Sequence, residues 1–169
     1  KFFKIFCMPD GNFSFFNGGS LIKKLEIDET LKRVSKTSKK TEIANISGYC
    51  KLIKNNMLLF LDVGTKNNYL SNEKFINKAS IGAFELYFKK SKLITNMGDI
   101  KQSNDLNSSM SLASTAAHST LSIDDRNNFD LSNNRKLEYL NVKKNINNLG
   151  DLIEVEHSGY NYAFGVNHK

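Results

Sequence analysis

No stretch of this 169-residue sequence approaches the roughly 20 consecutive apolar residues that a membrane helix needs. No membrane span is therefore expected. Only two cysteines occur, Cys7 and Cys50, far apart and each in an apolar, strand-like run. With no C-x-x-C pair, a thiolate zinc site is not indicated. The two read as buried free thiols or as one disulfide. Arginine is scarce as well: three residues against 21 lysines, in a chain of net charge +7. A nucleic-acid surface would use more arginine, interleaved with aromatic residues on one face. Here the lysines are scattered and the 22 asparagines are equally inflated, so no nucleic-acid partner is expected. The basic balance also suits an acidic polysaccharide. Missing too are an HExxH helix, a glycine-rich phosphate loop and a GxSxG elbow, which removes the commonest hydrolase and nucleotide-binding signatures.

What is present fits one substantial core. The length lies in the single-domain range, and a hydrophobic fraction of 40% argues against wholesale disorder. Apolar residues run to both ends and the chain starts at Lys1, so a piece of a longer protein is expected. Lys1–Phe6 is too short, and too soon followed by Pro9-Asp10-Gly11, to be a complete signal peptide.

Punctuation by turn residues gives the organisation. Residues 2–7 and Phe13–Phe16 are short extended segments around Pro9-Asp10-Gly11 and before Asn17-Gly18-Gly19. Ser20 can cap a short helix over 21–34, whose Leu21, Leu25, Ile27, Leu31 and Val34 approximate one face. Residues 35–40 are polar and without period, a linker that divides the chain into 1–40, the tail of a preceding domain, and 41–169. From 42 onward the pattern is β. Asn55-Asn56 makes 49–63 a hairpin, 83–88 and 93–97 flank a turn at 89–92, and 119–123 is a short strand closed by Asp124-Asp125. Strands at 137–142 and 152–155 surround an Asn-rich turn, and 101–110 and 126–136 read as loops. No helix of ten or more residues fits after residue 42. The predicted class is mainly β, an antiparallel β-sandwich with a short N-terminal helical and linker segment.

Chemistry has few places to sit. Of the three histidines, His118 follows the small-residue run Ala113–Ala117 and precedes a predicted strand. Small neighbours permit close approach of a ligand, and imidazole serves as metal ligand or proton carrier near neutral pH. A histidine simply hydrogen-bonded to a loop would look the same. His157, in Glu156-His157-Ser158-Gly159-Tyr160, has the same two readings, and His168 near the chain end says little.

The run Ser114-Thr115-Ala116-Ala117-His118-Ser119-Thr120-Leu121 resembles the signature of the heparinase II/III-like polysaccharide lyases, a small-residue stretch leading into Ala-His-(Asn/Ser)-Thr and a strand. Other pieces follow in the family's order. They are Met8–Gly11 through Phe16–Gly19, Ser47-Gly48-Tyr49 with Leu61–Gly64, Ala83–Leu86 with Ile94–Gly98, and His157–Tyr160 with Phe164-Gly165 and His168. The resemblance implies the C-terminal β-sandwich of a lyase that cleaves uronate-containing acidic glycans by β-elimination, exported to the periplasm or cell envelope. It also implies an N-terminal α/α toroid as the domain's partner in the same parent chain, and an inactive fragment when the toroid is missing. The alternative is a carbohydrate-binding or structural module that kept the fold and lost the chemistry.

Carried over residue by residue, the resemblance makes His118 the catalytic candidate and Lys78, His157 and Tyr160 the substrate-binding ones, with Glu85 and Tyr160 as structural neighbours. Some relatives hold zinc with two histidines and an aspartate. Counted from Phe84, Lys78 stands at the first histidine position and Asn96 at the aspartate position; only His118 keeps its type. One imidazole beside an ammonium and an amide is a poor cation site, so no metal and no cofactor are expected.

Overall fold

A computed structural model describes residues 5–16, 19, 21–33, 43–44, 48–64, 78–98, 106–131, 137–148 and 150–169. Strands β1 (Ile43–Ala44), β2 (Tyr49–Lys54), β3 (Met57–Asp62), β4 (Phe84–Phe88) and β5 (Ser91–Ile94) form one five-stranded meander in chain order. Strands β6 (Leu140–Ile146) and β7 (Asp151–His157) form a two-stranded ribbon. Every strand pairing among the described residues is antiparallel, so the mainly-β reading holds. The expected linker at 35–40 lies outside the described residues, as do positions 101–105 and 132–136 of the expected loops.

The hairpin of β2 and β3 closes where Lys54 pairs with Met57, leaving Asn55 and Asn56 as a two-residue turn at φ 47° and 66°. Two consecutive left-handed residues match the right-handed twist of the strands, and asparagine tolerates that conformation better than most side chains. Further along, Phe60 pairs with Lys51 on one side and Glu85 on the other, while Leu58 faces Tyr87. Alternation therefore puts Tyr49, Lys51, Leu58, Phe60, Glu85 and Tyr87 on one face of the sheet.

Residues 5–16 cover that face. Phe6 and Phe16 each set their rings edge-on against both Tyr49 and Phe60, at centroid distances of 5.0 to 5.6 Å. Two charged groups lie under this aromatic cover and both are met by backbone. Lys51 Nζ donates to the carbonyls of Ile5 (3.1 Å) and Cys7 (2.6 Å). Burial pushes its pKa down. The Glu85 carboxylate accepts from Phe15 N–H (2.9 Å), Thr95 Oγ1 (3.3 Å) and the Tyr87 hydroxyl (3.2 Å). Such pairing is what makes buried charge tolerable. The N-terminal segment thus shares the core of the sheet, with Met8 and Phe16 in the same cluster as Leu58, Phe60, Ala83 and Tyr87.

A second cluster joins the ribbon to the rest. Ala79, Ile81, Phe129 and Leu137 are buried together, and Leu131, Leu140 and Val155 pack against them. Both cysteines are free thiols; Cys50 is buried, and burial pushes its thiol up to about 11.

Helix α1 (Lys24–Arg33) falls inside the predicted span and buries Ile27. Two expectations are corrected. Residues 106–110, read as loop, belong to helix α2 (Leu106–Ala113). Its serines hid it: Ser111 Oγ donates to the Asn107 carbonyl and Ser114 Oγ to the Ser111 carbonyl, while Leu112 and Ala113 supply the buried side. Residues 119–123, read as a strand, form only the single bridge Ile123–Arg126 around Asp124-Asp125. Hydroxyls take over from a ladder here, with Ser119 Oγ bonded to the Phe84 carbonyl and Thr120 Oγ1 donating to that of Ile81 (2.9 Å). The chain closes with the helical turn α3 (Asn161–Phe164), after which His168 pairs with His157.

Candidate functional site

The small-residue run is needed because of what surrounds it. Ala113, Thr115 and Ala117 are buried around a 3₁₀ turn, Thr115–Ala117, at whose end His118 returns to extended backbone. Thr115 pins the turn on two sides: its Oγ1 donates to the Ala79 carbonyl (3.0 Å) and accepts from Asn128 N–H (2.8 Å). Ala79 N–H in turn donates to the Ala113 carbonyl (2.8 Å), which holds Lys78 beside this run. On the other side Met97 N–H donates to the Ala117 carbonyl (3.2 Å), and Asn96 Oδ1 accepts from Ser119 N–H (3.0 Å). Asn96 and His118 are therefore neighbours on facing segments. The structure brings Lys78, Asn96 and His118 to one corner of the fold.

Electrostatics at this corner are unusual. His118 is 8% exposed and is pushed down to about 4, first by burial and then by the positive charge of Lys78, so it is neutral at pH 7. Neither of its ring nitrogens has a hydrogen-bond partner among the described residues, and Nδ2 of the 1%-exposed Asn96 has none either. Each such buried polar atom costs about 1–3 kcal/mol. Among the described residues no group of three or more His, Cys, Asp or Glu side chains is placed to hold a metal ion.

A second cluster gathers the remaining candidates, and includes one that sequence reasoning passed over. His157 and His168 exchange both backbone hydrogen bonds (2.9 and 3.0 Å), and His157 Nε2 lies 3.0 Å from His168 Nδ1. Gly159 N–H donates to His157 Nδ1 (3.1 Å). That contact makes Nδ1 an acceptor, so neutral His157 carries its proton on Nε2 and donates it to His168 Nδ1. His157 is pushed down to about 4 by burial and then by His168, and burial lowers His168 as well. Tyr160 is fully buried, and its hydroxyl donates to the Leu121 carbonyl (2.6 Å). The only sequence signal for the pair was that His168 follows His157 within one resembling segment.

The two clusters are separate: the side-chain bonds of His157 run to His168 and Gly159, not to His118. Segment 118–121 lies between them, with Thr120 Oγ1 on the Ile81 carbonyl and Leu121 receiving Tyr160. A third titratable group, Asp62, is buried nearby in the chain trace. Its two oxygens accept from Ser80 Oγ (2.8 Å) and Gly64 N–H (2.9 Å), yet burial still pushes it up to about 6.

Comparison with known proteins agrees with this geometry. The family model described as heparinase II/III-like, C-terminal, matches residues 37–169. A search of curated proteins finds no match. Among solved structures, a mutant of the heparan sulfate lyase HepC from Pedobacter heparinus aligns with TM-score 0.66 and 16% identity, over 93% of this chain and 27% of that one. A second structure of heparan sulfate lyase HepC from Pedobacter heparinus aligns with TM-score 0.61 and 16% identity over the same shares. The chain thus spans about a quarter of the length of these lyases. The match over most of its residues places the chain in the heparinase II/III-like family, as a C-terminal domain.

Proposed function

We propose that this domain forms one wall of a cleft in a larger polysaccharide lyase that cleaves uronate-containing acidic glycans by β-elimination. The observation that carries the reading is the Lys78–Asn96–His118 corner, where the positive charge of Lys78 reaches a buried, neutral imidazole in the segment that resembles the family signature. In β-elimination a base removes the proton at C5, the bond from C4 to the bridging oxygen breaks, and a C4–C5 double bond forms as an acid protonates the leaving oxygen. The uronate carboxylate must be neutralised for C5 to become acidic enough. A positive, donor-rich wall serves that last need, and the remaining catalytic groups come from the partner domain.

A second reading, a carbohydrate-binding or structural module, is favoured by the second cluster. His157 and Tyr160 spend their polar atoms on His168, Gly159 and Leu121, inside the domain. The test is a lyase assay on the full-length protein with a panel of uronate polysaccharides, following the ultraviolet absorbance of the unsaturated product. Expected is turnover that falls at least about tenfold in His118→Ala, the low end of what a positioned acid–base group contributes, with circular dichroism unchanged. A folded protein with no product on any member of the panel would transfer the weight to the binding module.

A further inference from the structure

We propose that the Lys78–Asn96–His118 corner is an oxyanion site, binding a carboxylate or a sulfate group and not a metal cation. This goes beyond the lyase reading, because it assigns a ligand class to the corner whether or not the parent protein turns over a glycan.

The direction in which each polar group can bond decides the sign. Asn96 Oδ1 is committed to Ser119 N–H at 3.0 Å, and Ser119 Oγ lies 3.2 Å away on the same oxygen. That fixes the amide: its acceptor end is used and its two-proton Nδ2 end is the one left buried without a partner among the described residues. A metal ion needs lone pairs, and an NH₂ group has none to give. His118 adds a ring N–H with no partner among the described residues, on a side chain only 8% exposed. Lys78 adds positive charge, felt at the imidazole. A cation placed here would find one imidazole nitrogen and a repelling ammonium. An oxyanion would find an amide donor, an imidazole donor and a cation, the combination that gives short charge-assisted hydrogen bonds. The buried carboxylate on the neighbouring strand end, Asp62, does not compete for these donors, since both its oxygens already accept from Ser80 and Gly64.

The ligand's oxygens have two possible sources, a free anion and an acidic group on a sugar, and the experiment separates them. Thermal unfolding and titration calorimetry of the full-length protein would use sodium sulfate and sodium acetate against sodium chloride at equal ionic strength, then a sulfated uronate disaccharide, then zinc chloride. The site predicts a rise in melting temperature of about 2 °C or more with saturating sulfate or acetate over chloride, and none with micromolar zinc. A larger response to the disaccharide than to the free ions assigns the site to the glycan; a response to the free ions alone assigns it to a small anion. Either supports an oxyanion site. Asn96→Asp, which puts a carboxylate where the donor was, should abolish the response, and Lys78→Gln should weaken it. The Lys78 position is partly exposed, so this second variant keeps the test alive if Asn96→Asp fails to fold. The proposal is overturned by zinc binding to the unmutated protein that His118→Ala removes, by no response to any of the anions, or by a response that Asn96→Asp leaves intact. Binding is read without turnover, so a negative lyase assay does not touch this result.

Discussion

Gly159 shows how tightly single positions are specified around the histidine pair. A methyl group added there would sit 1.9 Å from the Asn128 carbonyl oxygen and 2.6 Å from His157 Nδ1. Neither obstacle is the free end of a flexible side chain: one is backbone and the other is a ring held at both nitrogens. Gly159→Ala is expected to destabilise by about 3 kcal/mol or more, because relief requires moving a buried carbonyl or breaking the His157–Gly159 bond. Chemical denaturation of the variant against the parent sequence measures it. The glycine itself was plain in the sequence as a break before Tyr160, but its reason was not. Nothing local says that residue 128 passes over residue 159, a contact made by chain segments 31 positions apart. His118 was legible through its unusual run of small neighbours, whereas His168 was not, since its partner is set by a closing turn that carries no strong periodic signal.

Among the elements, the hairpins were the most readable, because their turns are written in residues that accept positive φ. The β2–β3 turn is Asn55-Asn56, and two-residue turns of this kind favour Asn-Gly. Asn56→Gly removes the residual cost of a side chain at φ 66° and is expected to stabilise by about 0.5 kcal/mol. A higher urea midpoint at unchanged slope would be the sign; an unchanged or lower midpoint would mean that the turn is already relaxed. Helix α2 went unread for the opposite reason. Its three serines and one asparagine favour turns in isolation, and burial of Leu112 and Ala113 against the rest of the domain tips the segment into a helix. The segment 119–123 failed likewise: it reads as a short strand closed by Asp124-Asp125, but hydroxyl bonds to the backbone of Phe84 and Ile81 hold it without a ladder.

For the whole molecule, the buried titratable groups pull stability in opposite directions with pH. His118 and His157 have folded values near 4, below the ordinary 6.5, so the folded state binds fewer protons than the unfolded one between those limits. Their contribution is present above about pH 6.5 and is lost as pH falls through about 4. Asp62 has the reverse sign. Its folded value near 6 exceeds the ordinary 3.8, so it contributes stability below about pH 4 that is lost as pH rises through about 6. With burial lowering His168 in the same direction, three histidines against one carboxyl predict a melting temperature that falls on acidification from pH 6.5 to 4. Asp62→Asn should steepen that fall, and His157→Gln should flatten it. Scanning calorimetry across pH 4–8 tests both, and a melting temperature that rises on acidification would refute the balance.

The aromatic cover of the sheet also bears on how this domain can be handled as a separate object. The family match begins at residue 37, a natural place to cut. A recombinant piece begun there would lose Phe6, Phe16 and the backbone carbonyls that receive Lys51, along with the amide that receives Glu85. Tyr49 and Phe60 would face water, beside a lysine that has lost both carbonyls and a glutamate left with only Tyr87 and Thr95 of its three donors. A piece that keeps these contacts, and with them the cover over its apolar sheet face, therefore starts at or before Ile5, some thirty residues before the boundary that sequence similarity alone would draw.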